Sequence, residues 1–239
     1  MKRLLSILAL AMYSLIALAQ STTTGVLKFM GIPIDGTKEE VIAQLENKGF
    51  RYNSLKGCHT GEFNGTTVDI SVVTNHDLVY RICVIYPQQP EHEIIPEFNV
   101  LLSQFNRNKK YFALSKNPPI PTDEHITYER LTNHKEYSAH FAYISPDLFS
   151  EKEADQLREL MGKASEMSQE EINSMVQSMM ESWVEDKSKI TEDEALAIYQ
   201  RLSSILHGKV WFTIVEGLAQ YNIVIYYDNV KNQPNGEDL

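Results

Sequence analysis

Asn64-Gly65 sits between a run ending at Glu62-Phe63 and the alternating run Thr66 to Val73, in which Val68, Ile70 and Val72 share one face. A two-residue Asn-Gly loop between such runs twists the chain in the sense a hairpin needs, because both residues tolerate positive φ. That commits the chain to antiparallel sheet. A third strand run, Leu78 to Tyr86, follows a turn expected at Thr74 to Asp77. Ahead of these, Leu27 to Ile34 reads as a short extended stretch closed by Asp35-Gly36. Thr37 with Glu40 then forms a capping box at the head of a helix whose stripe is Val41, Ile42 and Leu45. Gly49 is expected to end that helix, with Phe50 packing back on Leu45.

The same order of elements then recurs. Ile94, Ile95, Phe98, Leu101, Leu102 and Phe105 lie at helical spacing, with Pro96 expected in the first turn, and strand-like segments follow at Ile126 to Leu131 and Tyr137 to Ile144. An excursion interrupts the second set. From Ser150 to His207 three capping boxes, Ser150 with Glu153, Ser168 with Glu171 and Thr191 with Glu194, predict three helices, and Gly208 stops the last. Val210 to Val215 and Tyr221 to Tyr227 read as closing strands, the first able to pair with Tyr137 to Ile144 across the excursion. The fold class expected is α+β: an antiparallel sheet with packed helices, a duplicated helix-plus-strands unit and an inserted helical block. The sheet domain comprises 20–147 and 208–239, and the insertion 148–207.

Lys2 and Arg3, an apolar run from Leu4 to Ala19 and the small-residue end Ala17-Leu18-Ala19 have the layout of a signal peptide, 1–19, cleaved before Gln20. The expected location is periplasmic or secreted. No later stretch is long and apolar enough to span a bilayer. Thirty-two acidic against 22 basic residues give a formal charge of -10, and loss of Lys2 and Arg3 makes it -12. Such a chain is a poor partner for nucleic acid, whose phosphates demand Lys and Arg.

The stretch LKFMGIPIDGTKEE from Leu27 to Glu40, the turn Gly61 to Gly65, the strand Val79 to Ile82, and Ile223 to Asp228 followed by Asn232 together resemble a group of secreted proteins of Bacteroidetes. Those are similar in element order to the tandem helix-and-sheet repeats of β-lactamase inhibitor proteins and small outer-membrane assembly lipoproteins. The resemblance covers roughly 27–143 and 210–232. It implies a tandem α+β repeat and a binding role, and carries over no functional residues. The chain departs from it in the block Leu148 to His207, and from the lipoproteins in having no lipid-acceptor Cys.

No nucleophile elbow, zinc-binding HExxH, phosphate loop, dinucleotide fingerprint or CxxC pair is present. No cofactor or metal is called for. Cys58 and His59, as strand neighbours, point to opposite faces and cannot work as a thiolate-imidazole pair. If Phe63 pairs with Thr66 and Val73 with Leu78, Cys58 faces Ser71, Ser71 faces Tyr80, and Cys83 lies about 10 Å sideways and about 10 Å along, beyond disulfide reach. His134 and His140, if on one strand, stand about 20 Å apart. Glu91-His92-Glu93 reads as a solvated helix start meeting the positive end of the dipole.

The helical block holds Met161, Met167, Met175, Met179, Met180 and Trp183, with 13 acidic and 6 basic residues between Ser150 and His207. Two readings stand: a methionine-filled core under an acidic face, or an adaptable apolar groove for a partner. Met161, Met175, Met179, Met180 and Trp183 are the candidate binding residues on the second. The function expected is an exported, non-catalytic protein that binds another protein or a cell-envelope component. The alternative is a hydrolase or small-molecule binder with a site between sheet and helical block, drawing on Glu91, His92 or His207.

Overall fold

A computed structural model describes residues 25–163, 167–184, 191–217 and 220–234; the expected signal segment lies outside them. Two small strands, β1 (Lys28–Phe29) and β2 (Ile32–Pro33), precede α1 (Lys38–Asn47) and the strands β3 (Arg51–Asn53), β4 (Cys58–Phe63), β5 (Thr66–Asn75) and β6 (Leu78–Ile85). Then come α2 (Glu91–Arg107), β7 (Tyr111–Ala113), α3 (Ile126–Asn133), β8 (Ser138–Tyr143), the helical block α4 (Glu151–Lys163), α5 (Gln169–Ser182) and α6 (Glu192–His207), and finally β9 (Gly208–Glu216) and β10 (Tyr221–Asn229). Strands β3 to β10 form one antiparallel sheet in the order β3-β4-β5-β6-β10-β9-β8-β7. The architecture is α+β, as the periodicities require. Each half of the sheet has four strands preceded by a helix, the second set being interrupted by α3 and by α4 to α6, and the halves meet where β6 pairs with β10, Cys83 opposite Tyr226. Both sheet edges are three-residue strands, too short to template pairing with another chain.

The local signals form as chemistry dictates. The Thr37 hydroxyl accepts from the Glu40 N–H at 3.3 Å while the Glu40 carboxylate accepts from the Thr37 N–H at 3.0 Å. At the other end, Phe50 N–H donates to the Leu45 carbonyl and Gly49 N–H to that of Glu46, with Gly49 at φ 98°. The boxes at Ser150, Ser168 and Thr191 form in the same way. Asn64-Gly65 closes its hairpin with both residues at positive φ.

Four expectations need correction. Leu27 to Ile34 is not one extended stretch; it folds back at Met30-Gly31 to make β1 and β2. The second turn is His76-Asp77, both at positive φ, and β5 runs on to Asn75; a bulge between Val73 and Thr74 then sets Val73 opposite Arg81, not Leu78. Pro96 falls in the second turn of α2, which begins at Glu91; the bond it forgoes is to the His92 carbonyl, on a turn whose side chain is exposed to water. Ile126 to Leu131 is helical. The Glu91 carboxylate reaches across from α2 and accepts from the N–H groups of Ile126 (3.0 Å) and Thr127 (3.2 Å) and from the Thr127 hydroxyl (3.0 Å), supplying a cap that His125 does not.

The main core fills the space between the sheet and α1, α2 and α3, built on Phe29, Phe50, Ile82, Phe98, Phe141, Phe212 and Tyr227. A second core lies on the opposite side of β7 and β8, where Phe112, Ala142 and Ile144 meet Phe149, Leu157, Leu160, Met179 and Ile205 of the helical block. The block is anchored there by Arg201, which donates to the Leu148 carbonyl (3.0 Å) and Glu153 (2.7 Å) and lies over the rings of Phe149 and Trp183. Gly208 turns α6 directly into β9. A Cβ there would stand 3.0 Å from Tyr143 Cβ, so close approach, not positive φ, fixes the glycine.

Candidate functional site

Alternation assigns each strand residue to a face, and the register assembles the face away from α1 and α2 into rows of directly opposed side chains. One row runs Ser71, Cys83, Tyr226, Trp211, His140; the β4–β5 register continues it to Cys58. A flanking row runs Thr60, Asp69, Ile85, Val224, Thr213, Ser138. On the other side lie Val73, Arg81, Asp228, Lys209, Ala142 and Phe112. Among the described residues the apolar core of the helical block takes in only the last two of these eighteen positions.

The middle row is a ring ladder. Trp211 stacks on Tyr226 with centroids 4.1 Å apart and 18° between planes, and on His140 at 5.5 Å and 15°. Those spacings bracket the strand separation of about 4.8 Å, so the rings stand on the sheet with their edges outward. Arg81 closes one end, its guanidinium 4.9 Å from the Tyr226 centroid, 5.7 Å from that of Tyr80 and 5.8 Å from that of Trp211. Beneath it lies Asp228, its side chain only 3% exposed. Its carboxylate accepts Arg81 Nε–H at 2.6 Å and Nη2–H at 2.8 Å, and the Trp211 indole N–H at 2.9 Å. One buried carboxylate thus fixes the arginine and the indole together. His140 has its pKa lowered by burial and by Lys209, so it joins the ladder as neutral imidazole. Lys209 has no carboxylate within 4 Å among the described residues and stands 6.0 Å from the Trp211 ring.

Cys58 and Cys83 are free thiols. The His76-Asp77 turn, which moves the register by two positions, and the bulge, which adds one, put them in one row with Ser71 between, without the lengthwise offset expected from the sequence, yet two strand spacings, about 10 Å, still separate them. Burial pushes the Cys83 thiol up to about 11 and raises that of Cys58, the opposite of what a nucleophile requires. His59 faces the other way and is buried beside Tyr52. His134 caps α3 in the left-handed conformation, on no strand.

The residues considered for a hydrolase do not converge. Glu91 caps α3 near Tyr221 at the start of β10, whereas His207 precedes Gly208, opposite Asn229 at its end, about 27 Å away. His92 is exposed beside Glu93. Among the described residues no three His, Cys, Asp or Glu side chains cluster as metal ligands.

Of the methionines and tryptophan expected to form a binding groove, Met179 is buried, Met161, Met175 and Trp183 pack against the second core, and Met180 is half-buried. The Trp183 indole donates to Gln156 at 2.8 Å. Between α4 and α5 lies a cleft of about 380 Å³ lined by Gln156, Glu159, Glu171, Ser174, Met175, Ser178 and Met179. Fold and surface thus define an α+β protein with an eight-stranded antiparallel sheet, an aromatic face that the described helices leave open, and a clefted helical block. No protein-family model matches the chain, and no curated protein or solved structure is significantly similar to it.

Proposed function

We propose that this is an exported, non-catalytic protein that binds another protein through the helix-free face of its sheet. The observation that carries the reading is the ladder His140, Trp211, Tyr226, with Arg81 held over it by the buried Asp228, on a surface that no helix among the described residues covers. Trp, Tyr and Arg dominate the energetic centres of protein interfaces, and their value there depends on being rigid before the partner arrives. Here stacking and the Asp228 carboxylate supply that rigidity. From β4 to β9 the face is five strands wide and three side-chain rows tall, about 24 by 20 Å or about 500 Å², more than half of the ~800 Å² that each side of a standard interface contributes. Edge-on rings suit the knobs of a folded protein better than a flat ligand that stacks on ring faces. The helix-and-four-strands order, met twice, is also what the resemblance to tandem helix-and-sheet inhibitor and assembly proteins leads one to expect.

Ser71, half-buried in the middle row two strands from Tyr226, is the place to test it. A photo-crosslinking side chain at Ser71, incubated with envelope extract of the native host, should yield one dominant protein adduct. The purified pair should bind in solution, and Ser71→Arg should abolish binding while leaving the melting temperature unchanged. The proposal fails if the same probe at Gln44 on α1 collects the same proteins, or if Ser71→Arg binds as well as the parent.

A further inference from the structure

Helix α5 carries Ile172, Met175, Val176, Met179 and Met180 at i, i+3, i+4, i+7 and i+8, a full apolar stripe of the kind a helix buries. Only Met179 is buried; the other four are half-exposed. The stripe borders the cleft against α4, where Glu171, Met175 and Met179 lie along one wall over about 12 Å, two helical turns, and Gln156 with Glu159 form the other. At about 380 Å³ the cleft is near the lower bound of ligand-sized pockets, room for two or three aliphatic side chains.

Charge selects the occupant. The block has seven more acidic than basic residues, 13 against 6. Its arginines are spent inward: Arg201 on Glu153 and the Leu148 carbonyl, Arg158 on Asp155 and the Lys109 carbonyl. At the cleft Glu159 pairs with Lys163 at 2.6 Å and Glu171 caps its own helix at Ser168, while Glu170 stands exposed beside them, so the rim carries three carboxylates against one lysine. A second copy of this chain would bring the same negative rim and be repelled, as would an anionic lipid surface. We propose that the α4–α5 cleft receives a basic amphipathic helix from a partner, its apolar residues at i, i+3 or i+4 and i+7 seated on Met175 and Met179 and its lysines or arginines facing Glu159 and Glu171. This surface is separate from the sheet face.

The probe is an 18-residue helical peptide of leucine and lysine, fluorescently labelled, titrated into the mature chain, with a leucine and glutamate peptide of the same pattern beside it. The lysine peptide should bind and the glutamate peptide should not. Ser174 and Ser178 are exposed on the cleft, so S174R/S178R should weaken the lysine peptide at least tenfold. Q44R/N47R on α1, which changes net charge equally, should change affinity less than twofold, and Ser71→Arg should leave it intact. Far-UV circular dichroism and the melting temperature verify that each variant is folded. No binding of the lysine peptide, equal binding of both peptides, or equal losses in S174R/S178R and Q44R/N47R would each overturn the proposal.

Discussion

Asp228 and Arg81 are the place where the sheet face can be tested for internal energy. Arg81→Met leaves a carboxylate 3% exposed with one donor, the Trp211 N–H, in place of three. Stranding a buried charge costs about 3–5 kcal/mol; because the Arg81 side chain is 26% exposed and the pair partly screened, the lower bound applies, about 3 kcal/mol. Asp228→Leu strands less, since the guanidinium can turn to water, but it orphans the indole N–H, for a loss of about 2 kcal/mol. The double variant removes both charges and keeps only the orphaned indole, again about 2 kcal/mol. The two single losses therefore sum to about 5 kcal/mol against about 2 for the double, a coupling of about 3 kcal/mol. In urea, with a slope near 3 kcal/mol per M, Arg81→Met should lower the midpoint by about 1 M. Tryptophan fluorescence is the natural reporter, because Trp211 stands in the ladder and Trp183 in the second core. A midpoint shift under about 0.3 M, or single losses that simply add, would show that Asp228 does not fix the arginine and that the ladder is not pre-ordered as argued.

Four further outcomes follow from the packing. Glu91→Ala should cost about 1–2 kcal/mol and speed amide exchange at Ile126 and Thr127 before other helices; unchanged exchange there would refute the cross-helix cap. Gly61→Ala places a Cβ 2.4 Å from the ring of the buried Phe50, so it should destabilise by about 1–3 kcal/mol in thermal melts, whereas a neutral result would mean the ring can move aside. His140 and His207 both have pKa values lowered by burial and then by a nearby lysine, so below pH 6.5 the unfolded chain takes up protons that the folded chain does not. Stability should accordingly fall as pH drops from 7.5 to 5.5, and fall less in His140→Phe; an identical slope in that variant would refute the assignment. Alkylation under denaturing, non-reducing conditions should label both cysteines, while in the folded protein at pH 8 Cys83 should resist, its thiol being held near 11; an intact intramolecular bridge by mass would contradict the register.

What the sequence made legible was local. The capping boxes at Thr37, Ser150, Ser168 and Thr191, the Gly49 stop and the Asn64-Gly65 turn each depend on residues within six positions of one another, and all form. The errors occur where a distant partner decides. Ile126 to Leu131 has the β-branched and aromatic residues of a strand, but its N–H groups find a carboxylate 35 residues earlier, and the helix wins. The His76-Asp77 turn shifts the register by two positions and the Val73/Thr74 bulge inserts one more residue that alternation cannot count, together moving Cys83 into line with Ser71.

The candidate face shows the same division more sharply. Parity alone puts Trp211 and Thr213 opposite Val210, Phe212 and Ile214, and Tyr226 and Asp228 opposite Ile225 and Tyr227, so an indole, a phenol and a carboxylate on the non-core side of two closing strands were readable. That Arg81 meets Asp228 was not, because β6 and β10 are joined by more than 130 residues and only their pairing sets the register. The helical block was legible for the same reason the loops were: its caps and stripes are internal to it. Its apolar stripe on α5 is half spent on the second core, and the sheet could have closed without it, since β8 and β9 pair directly across the excursion. A sheet whose second face the described helices leave open, and a block that among the described residues meets it at Phe112 and Ala142, set an aromatic surface apart from an acidic one. Substitutions on one surface should therefore leave binding at the other unchanged. That independence is the physical consequence of two cores that share a sheet and face opposite ways.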